Sequence, residues 1–375
     1  MNIGVGPSTK EDSCQERKFL NNNTIYVSLM RIAHVAPVIY PVPPVAYGGT
    51  ERVVADLAHV QLRLGHEVAI FAPRDSTLEG VRVIGDYGSL SYHRDALGAE
   101  LPAGFAAQLE AQQLRDIVKY GSAWDIIHLH GSFHSSGICA ALGLKVFRTI
   151  HWRADEADHQ EHFETFRNER MIAISQRQAR DVPPRSLAGV VHHGIPVDRY
   201  RLAAGRRDRL LFIGRMTDQK RPDRAIELAN RLGLRLDLAG PVDAGNPTYF
   251  ADRVAPHIGA SIHHVGSLSD SEKQTAFDEA AALVFPIDWP EPFGLVMIEA
   301  MACGVPVIAW DNGSVREVID DGVNGIVVST IDEAVSRWPE VCSLDSKIIR
   351  GQFETRFTVD RMAAEVLSIY ENARP

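Results

Sequence analysis

The sequence predicts an α/β protein made of two doubly wound, parallel-sheet domains. Three observations lead there. Strand and helix patterns alternate along most of the chain. The alternation runs twice, broken at His192-His193-Gly194-Ile195-Pro196-Val197. Polar or glycine-rich segments follow directly after several strand patterns, where open parallel sheets place their ligands.

Residues 1–29 read as a polar tail, and Met30 would serve as a start for the folded part. Residues 31–36, Arg-Ile-Ala-His-Val-Ala, read as a strand. Residues 50–64 read as a helix, because Val53, Val54, Leu57, Val60, Leu62 and Leu64 recur among charges, and Gly65-His66 stops it. Strand patterns follow at 67–72, 125–130, 145–150 and 171–175, with a helix at 106–119. The second run has strands at 210–213, 234–239, 261–265, 282–286 and 305–310. Its helices fall near 222–231, 270–279, 294–302 and 314–319, and a last one near 356–372. Such interleaving argues for parallel sheets covered on both faces. The expected division is a tail at 1–29, a first domain at 30–195 and a second at 205–355.

Composition bounds the function. The chain has 375 residues, 45% hydrophobic and 23% charged, which suits two domains of ordinary size. Its net charge of -9 argues against a general nucleic-acid binder. The four cysteines are far apart with no CxxC pair, so reduced thiols in a cytoplasmic protein are expected. No apolar run reaches the roughly 18 to 20 residues that span a bilayer. The helix at 51–64 carries only Arg52 and Arg63 as basic residues, so membrane contact is expected to be peripheral at most.

Four segments could carry chemistry. Gly48-Gly49-Thr50-Glu51 precedes a helix, and paired glycines there let backbone N–H groups approach a phosphate or sugar. The plainer alternative is a tight loop capped by Thr50. His128 and His130 are expected on opposite faces at a strand end, one packed and the other free at the tip. His130, followed by Gly131, is the candidate, although a lone histidine is more often structural. Zinc at His130 and His134 lacks a matching third ligand. Arg215 and Lys220 follow the first strand of the second run and could grip one anion, or could be solvated loop charges. The richest segment runs from Pro286 to Ile308. Free N–H groups at Phe293, Gly294 and Leu295 would point at an anion. Glu291 sits just outside that helix. Glu299 sits within an otherwise apolar stretch, Leu295-Val296-Met297-Ile298-Glu299-Ala300-Met301-Ala302, so its charge should have a partner. G-x-G-x-x-G after the first strand and G-x-x-x-x-G-K-[ST] are both missing, which weakens dinucleotide and P-loop readings.

These motifs resemble the family 4 retaining glycosyltransferases of GT-B architecture, in which two Rossmann-like domains face a central cleft. The resemblance runs from about residue 30 to the C-terminus. It rests most on the pair Glu291 and Glu299, with seven residues between them. Supporting it are Gly48-Gly49-Thr50-Glu51, His128-Leu129-His130, Gly214-Arg215 with Lys220, and Gly322-Val323-Asn324-Gly325. The resemblance implies that Arg215 and Lys220 bind the donor diphosphate, with Gly48 and Gly49 close by. It implies backbone donors at Phe293, Gly294 and Leu295, Glu291 on the transferred sugar, Glu299 on the ribose, and His130 near the reacting centre. A C-terminal helix, about 356–375, should cross back to the first domain. One departure is Asn312-Gly313-Ser314-Val315-Arg316-Glu317, where the family usually has paired glycines and then Pro-Glu.

The resemblance implies sugar transfer from a nucleotide sugar, UDP-linked in preference to GDP-linked, to a sugar, lipid-linked or small-molecule acceptor. Polysaccharide, glycolipid or glycoside biosynthesis is the expected setting. No Asp-x-Asp triplet is present, so a metal-independent enzyme without a cofactor is expected, its leaving group stabilised by fixed cations. The competing readings are a GT-B sugar-nucleotide 2-epimerase and a non-catalytic sugar-nucleotide-binding protein. Loops at 74–104 and 131–163 are expected on the acceptor side. His151-Trp152-Arg153 lies among them, and His159 to His162 reads as a surface loop.

Overall fold

The computed structural model describes residues 29–45, 48–98, 100–204 and 208–373. The expected tail at 1–29 therefore lies outside the described residues except for Leu29. Seven strands form the first sheet: β1 (Arg31–Val35), β2 (Glu67–Phe71), β3 (Arg82–Ile84), β4 (Ile126–Leu129), β5 (Val146–Thr149), β6 (Arg170–Ala173) and β7 (Leu187–Val190). Six form the second: β8 (Arg209–Ile213), β9 (Arg235–Ala239), β10 (Ile262–Gly266), β11 (Ala280–Phe285), β12 (Val307–Trp310) and β13 (Gly325–Val328). The orders are β3-β2-β1-β4-β5-β6-β7 and β10-β9-β8-β11-β12-β13, parallel throughout. Strand order reverses between β1 and β4 and between β8 and β11. Those are the switch points where such sheets open a crevice.

Both faces of each sheet are covered, which is why the central strands are apolar runs. On one face of the first sheet, Ile32, Ile126, Phe147 and Ile172 pack against the helices Gly49–Arg63 and Val359–Asn372. On the other, Ala33, Val35, Ile127 and Leu129 meet Ile117 and Cys139 from the helices Phe105–Tyr120 and His134–Ala141. In the second sheet, Leu211, Leu283 and Val307 lie under the helices Leu295–Ala302 and Ser346–Arg356. Leu210, Phe212, Val284 and Ile308 face the helix Pro222–Leu232.

The chain crosses between the sheets twice, and the crossings pair. Ile195 N donates to Phe357 O and Val359 N to Ile195 O, both at 3.0 Å. A Cβ on Gly194 would stand 2.2 Å from Thr358 O, so this approach needs glycine. The last helix, Val359–Asn372, thereby returns to the first sheet. Arg199, just past the first crossing, holds Asp56 of the helix Gly49–Arg63 at 2.7 and 2.5 Å. Among the described residues, no helix is long and apolar enough to cross a membrane.

Three local expectations change. Strands β3, β7 and β13 had no strand reading. β3 is only three residues long, and β7 contains Gly189, which weakens a strand pattern. A Cβ on Gly189 would meet Ile369 Cδ1 at 2.8 Å, so Ile369 of the returning helix packs directly over that glycine. Second, His159 to His162 is no surface loop. It lies in the helix Ala157–Thr165 with both histidines buried, and His162 stacks on Phe133 at 4.0 Å. Third, His128 and His130 share a face, because residues two apart along a strand point the same way. Their rings are 4.1 Å apart and both are buried.

Candidate active site

Each polar segment singled out after a strand stands at the carboxyl end of a sheet, beside a switch point. Gly48 and Gly49 follow β1, Arg215 and Lys220 follow β8, and Glu291 to Leu295 follow β11. Two adjoining cavities between the sheets share Gly48, Gly49, Arg215, Lys220, Glu291, Gly294 and Leu295. Phe293 lines the first cavity and Glu299 the second. His130 lines neither.

Two helix N-termini meet there. Gly48 precedes the helix Gly49–Arg63 with φ 147, and a Cβ on it would meet Pro44 Cβ at 2.7 Å. Thr50 is not the cap: Gly48 holds that position and has no side chain to fill it. Gly294, φ 83, precedes the helix Leu295–Ala302, again with no side-chain cap among the described residues. A Cβ on Gly49 would lie 3.3 Å from Leu295 Cδ1, so the two helix starts touch across the cleft. Uncapped N-termini direct N–H groups and the positive dipole end at a shared space, which favours an anion.

Charged side chains complete the site. Lys220 forms an ion pair with Glu291 and lies over the Trp289 ring at 4.9 Å. Trp289 Nε1 donates to the same carboxylate at 2.7 Å. Arg215 pairs with Asp243 at 2.7 Å and lies 5.8 Å from the Trp152 ring centroid. Glu299 has the partner its burial demands: Lys273 Nζ is 2.8 and 3.0 Å from its two oxygens. The departing loop also has a role. A Cβ on Gly313, φ 60, would clash with Glu291 N and O at 2.3 Å. Ser314 N donates to Glu291 O at 3.0 Å, and Ser314 Oγ to Phe293 O at 2.9 Å. Glu317 reaches the first domain, accepting from Gln176 N at 2.6 Å and Arg177 N at 2.7 Å.

The histidines form a row. β1 and β4 pair with His34 opposite His128, so His34, His128 and His130 share one face. His130 Nδ1 is 3.0 Å from His151 Nε2, and His151 lines the cleft beside His193. His130 therefore stands one ring behind the cleft. Burial holds His34 down to about 4 and His151 to about 3, so both are neutral near pH 7. His34, His128 and His130 are close enough together to suggest a metal site. All six of their ring nitrogens already have hydrogen-bond partners: Gln61, Thr149, Tyr370, His151 and one another. Exposed His134 turns away from His130, to Glu110 at 2.5 Å. Glu51, buried in the cleft wall, is pushed up to about 7 by burial.

Sequence reasoning missed Lys273 and Asp243, and put His151 with the acceptor side of the cleft, whose wall it does line. A usable signal existed for His34. In a doubly wound order the first strand neighbours the strand after the switch, so two mid-strand histidines there should meet.

The profile described as Glycosyltransferase Family 4 matches residues 47–199, and that described as Glycosyl transferases group 1 matches residues 198–337. The glycogen synthase of Mycobacterium tuberculosis (strain ATCC 25618 / H37Rv) is 25% identical, over 81% of this chain and 84% of the relative. The D-inositol 3-phosphate glycosyltransferase of Mycolicibacterium smegmatis is 32% identical, over 48% of this chain and 47% of the relative. Among solved structures, the sucrose-phosphate synthase of Thermosynechococcus elongatus superposes with a TM-score of 0.73 at 18% identity, covering 91% of this chain and 98% of that one. Anabaena HepE, in complex with UDP and glucose, gives 0.68 at 15%, covering 92% and 100%. These structural likenesses carry the two-domain fold; the profiles, which overlap at 198–199 and together cover residues 47–337, carry the family. The chain belongs to the family 4 glycosyltransferases of GT-B architecture, enzymes that transfer sugar from nucleotide sugars.

Proposed function

We propose that the chain is a metal-independent, retaining glycosyltransferase that takes a UDP-sugar as donor. The observation that carries this reading is the convergence of two uncapped helix N-termini, Arg215 and Lys220 on one space. A leaving nucleoside diphosphate gains negative charge as its bond to the anomeric carbon breaks. Fixed cations and aimed N–H groups stabilise that charge without a metal ion. The UDP preference leans on Anabaena HepE, solved with UDP and with UDP-glucose.

In this reading Arg215, Lys220, Gly49 and the amides at Gly294 and Leu295 hold the diphosphate. Glu299, steadied by Lys273, accepts from the ribose hydroxyls, and Glu291 accepts from the transferred sugar. His151, which lines the cleft, takes the contact with that sugar, and His130 supports it from behind. The acceptor oxygen attacks the anomeric carbon from the face the phosphate leaves. Its proton passes to the departing phosphate oxygen, so the anomeric configuration is kept. Trp152, half-exposed at the cleft mouth, lies on the acceptor side. The acceptor is a sugar, lipid-linked or small-molecule hydroxyl, in glycoside, glycolipid or polysaccharide synthesis.

A panel of nucleotide sugars, assayed for nucleoside diphosphate release and for product by NMR, tests the reading. A glycoside with the donor's anomeric configuration supports it. An epimerised nucleotide sugar, an inverted linkage or no turnover of any UDP-sugar would overturn it.

A further inference from the structure

Behind His151 a row of buried polar groups leads away from the cleft to Gln61 on the helix Gly49–Arg63. Gln61 Oε1 is 2.7 Å from His34 Nε2, His34 Nδ1 is 3.0 Å from His130 Nε2, and His130 Nδ1 is 3.0 Å from His151 Nε2. A neutral imidazole has one N–H donor and one bare acceptor nitrogen. Three imidazoles supply three protons, and the three contacts use one each.

The end of the row decides the order. A carbonyl oxygen can only accept, so His34 carries its proton on Nε2 and leaves Nδ1 bare. His130 must then donate from Nε2, which leaves its own Nδ1 bare. His151 must donate from Nε2 in turn, and its Nδ1 has no proton. Burial keeps the row neutral, which the count requires. His128 stands outside it, since its nitrogens meet Tyr370 Oη at 2.5 Å and Thr149 Oγ1 at 2.8 Å. His193 only stacks on His151, at 5.2 Å and 16°. With Oε1 on His34, the buried Gln61 Nε2 has no hydrogen-bond partner among the described residues; an amide turned the other way would donate to His34 and shift every proton in the row over, placing one on His151 Nδ1.

We infer that Gln61, through His34 and His130, fixes His151 as the Nε2–H tautomer, so that His151 offers the donor sugar a hydrogen-bond acceptor. This rests on the proposed function for the place of the sugar. His151 then suits a sugar hydroxyl and opposes a carboxylate, itself an acceptor, at the same point. Gln61, His34 and His130 are positioning residues, since none of them lines the cleft. The device uses no charge, so it orients a hydrogen bond without drawing a counter-ion into the core.

Imidazole 15N spectra of the full chain, labelled at histidine and recorded at pH 8 without substrate, test this. His151→Asn assigns the resonance by its loss. His151 is expected as a single Nε2–H tautomer in the parent. Gln61→Leu removes the acceptor, and His151 should then show mixed tautomers. Transfer should fall roughly tenfold, the scale of one transition-state hydrogen bond, with nucleoside diphosphate affinity unchanged. Gln61→Glu, an acceptor again, should restore one tautomer. A proton on His151 Nδ1 in the parent, or an unchanged His151 pattern in Gln61→Leu, would overturn the inference. If Gln61→Leu does not fold, the parent spectrum decides alone. Nucleoside diphosphate release by the parent reports separately on the glycosyltransfer reading.

Discussion

Lys220 and Glu291 form an ion pair inside the cleft, and Trp289 Nε1 donates to the same carboxylate at 2.7 Å. The pair joins the residue proposed to hold the diphosphate to the one proposed to hold the sugar. Lys220→Met should therefore act twice. It leaves Glu291, 7% exposed, without its counter-charge, and breaking a buried pair costs about 3 to 5 kcal/mol. The 16% exposure of the Lys220 side chain puts the loss near the lower figure, about 3 kcal/mol. Transfer should also fall by about 100-fold or more, because a fixed donor to the leaving group is gone. Denaturant midpoints and initial rates measure the two effects. A destabilised variant with parental turnover would make Lys220 purely structural.

Glu299 and Glu291 should separate in binding experiments. Glu299→Gln keeps the shape but removes the charge that Lys273 meets. Nucleoside diphosphate affinity should drop by roughly 1 to 3 kcal/mol, the range for polar partners left unpaired. Glu291→Gln should bind the diphosphate like the parent and lose transfer instead. Calorimetry set beside steady-state rates makes the comparison. Parental behaviour in both variants would reduce the two carboxylates to helix-end acids.

The fold was legible because its signals are periodic. Apolar runs such as Ala280–Phe285 and turns such as Gly65-His66 are set locally, and two parallel sheets follow from their alternation. β7 was not legible, since Gly189 makes sense only once Ile369, far along the chain, lies against it. The cleft was legible where backbone chemistry makes it, at Gly48-Gly49 and Phe293-Gly294-Leu295. Its support was less so. Lys273 is one charge among several on the helix Asp270–Glu279, and only packing brings it to Glu299. His130 and His151 show the same limit. The strand end marks a histidine near the cleft, but which ring reaches it depends on how β4 and β5 lie together.

Chelation should leave the enzyme active. Lys220, Arg215 and the two helix starts converge on the cleft and can meet a diphosphate's charge without an ion. Turnover measured before and after EDTA should agree within about twofold, since the fixed charges supply the stabilisation. Complete loss, restored by manganese or magnesium, would replace that account with a metal-held diphosphate.

Glu51 makes stability depend on pH in a direction opposite to most acids. Burial raises its carboxyl from 4.5 to about 7, because the charged form loses water in the cleft wall. Between those values the folded chain holds a proton that the unfolded chain has given up. The contribution of Glu51 to stability therefore falls as pH rises from about 4.5 to about 7, and above that the cost is constant. At about 1.4 kcal/mol per unit, the full cost is on the order of 3 kcal/mol. Glu51→Gln keeps the shape and removes the titration. Its unfolding free energy should match the parent near pH 4.5 and exceed it by roughly 2 to 3 kcal/mol at pH 8. Other titrating groups cancel in the difference, because both chains share them. Urea midpoints across that range give the comparison. A parent–variant difference that stays flat with pH would mean that Glu51 titrates normally, and that the wall of the cleft is wetter than its packing indicates.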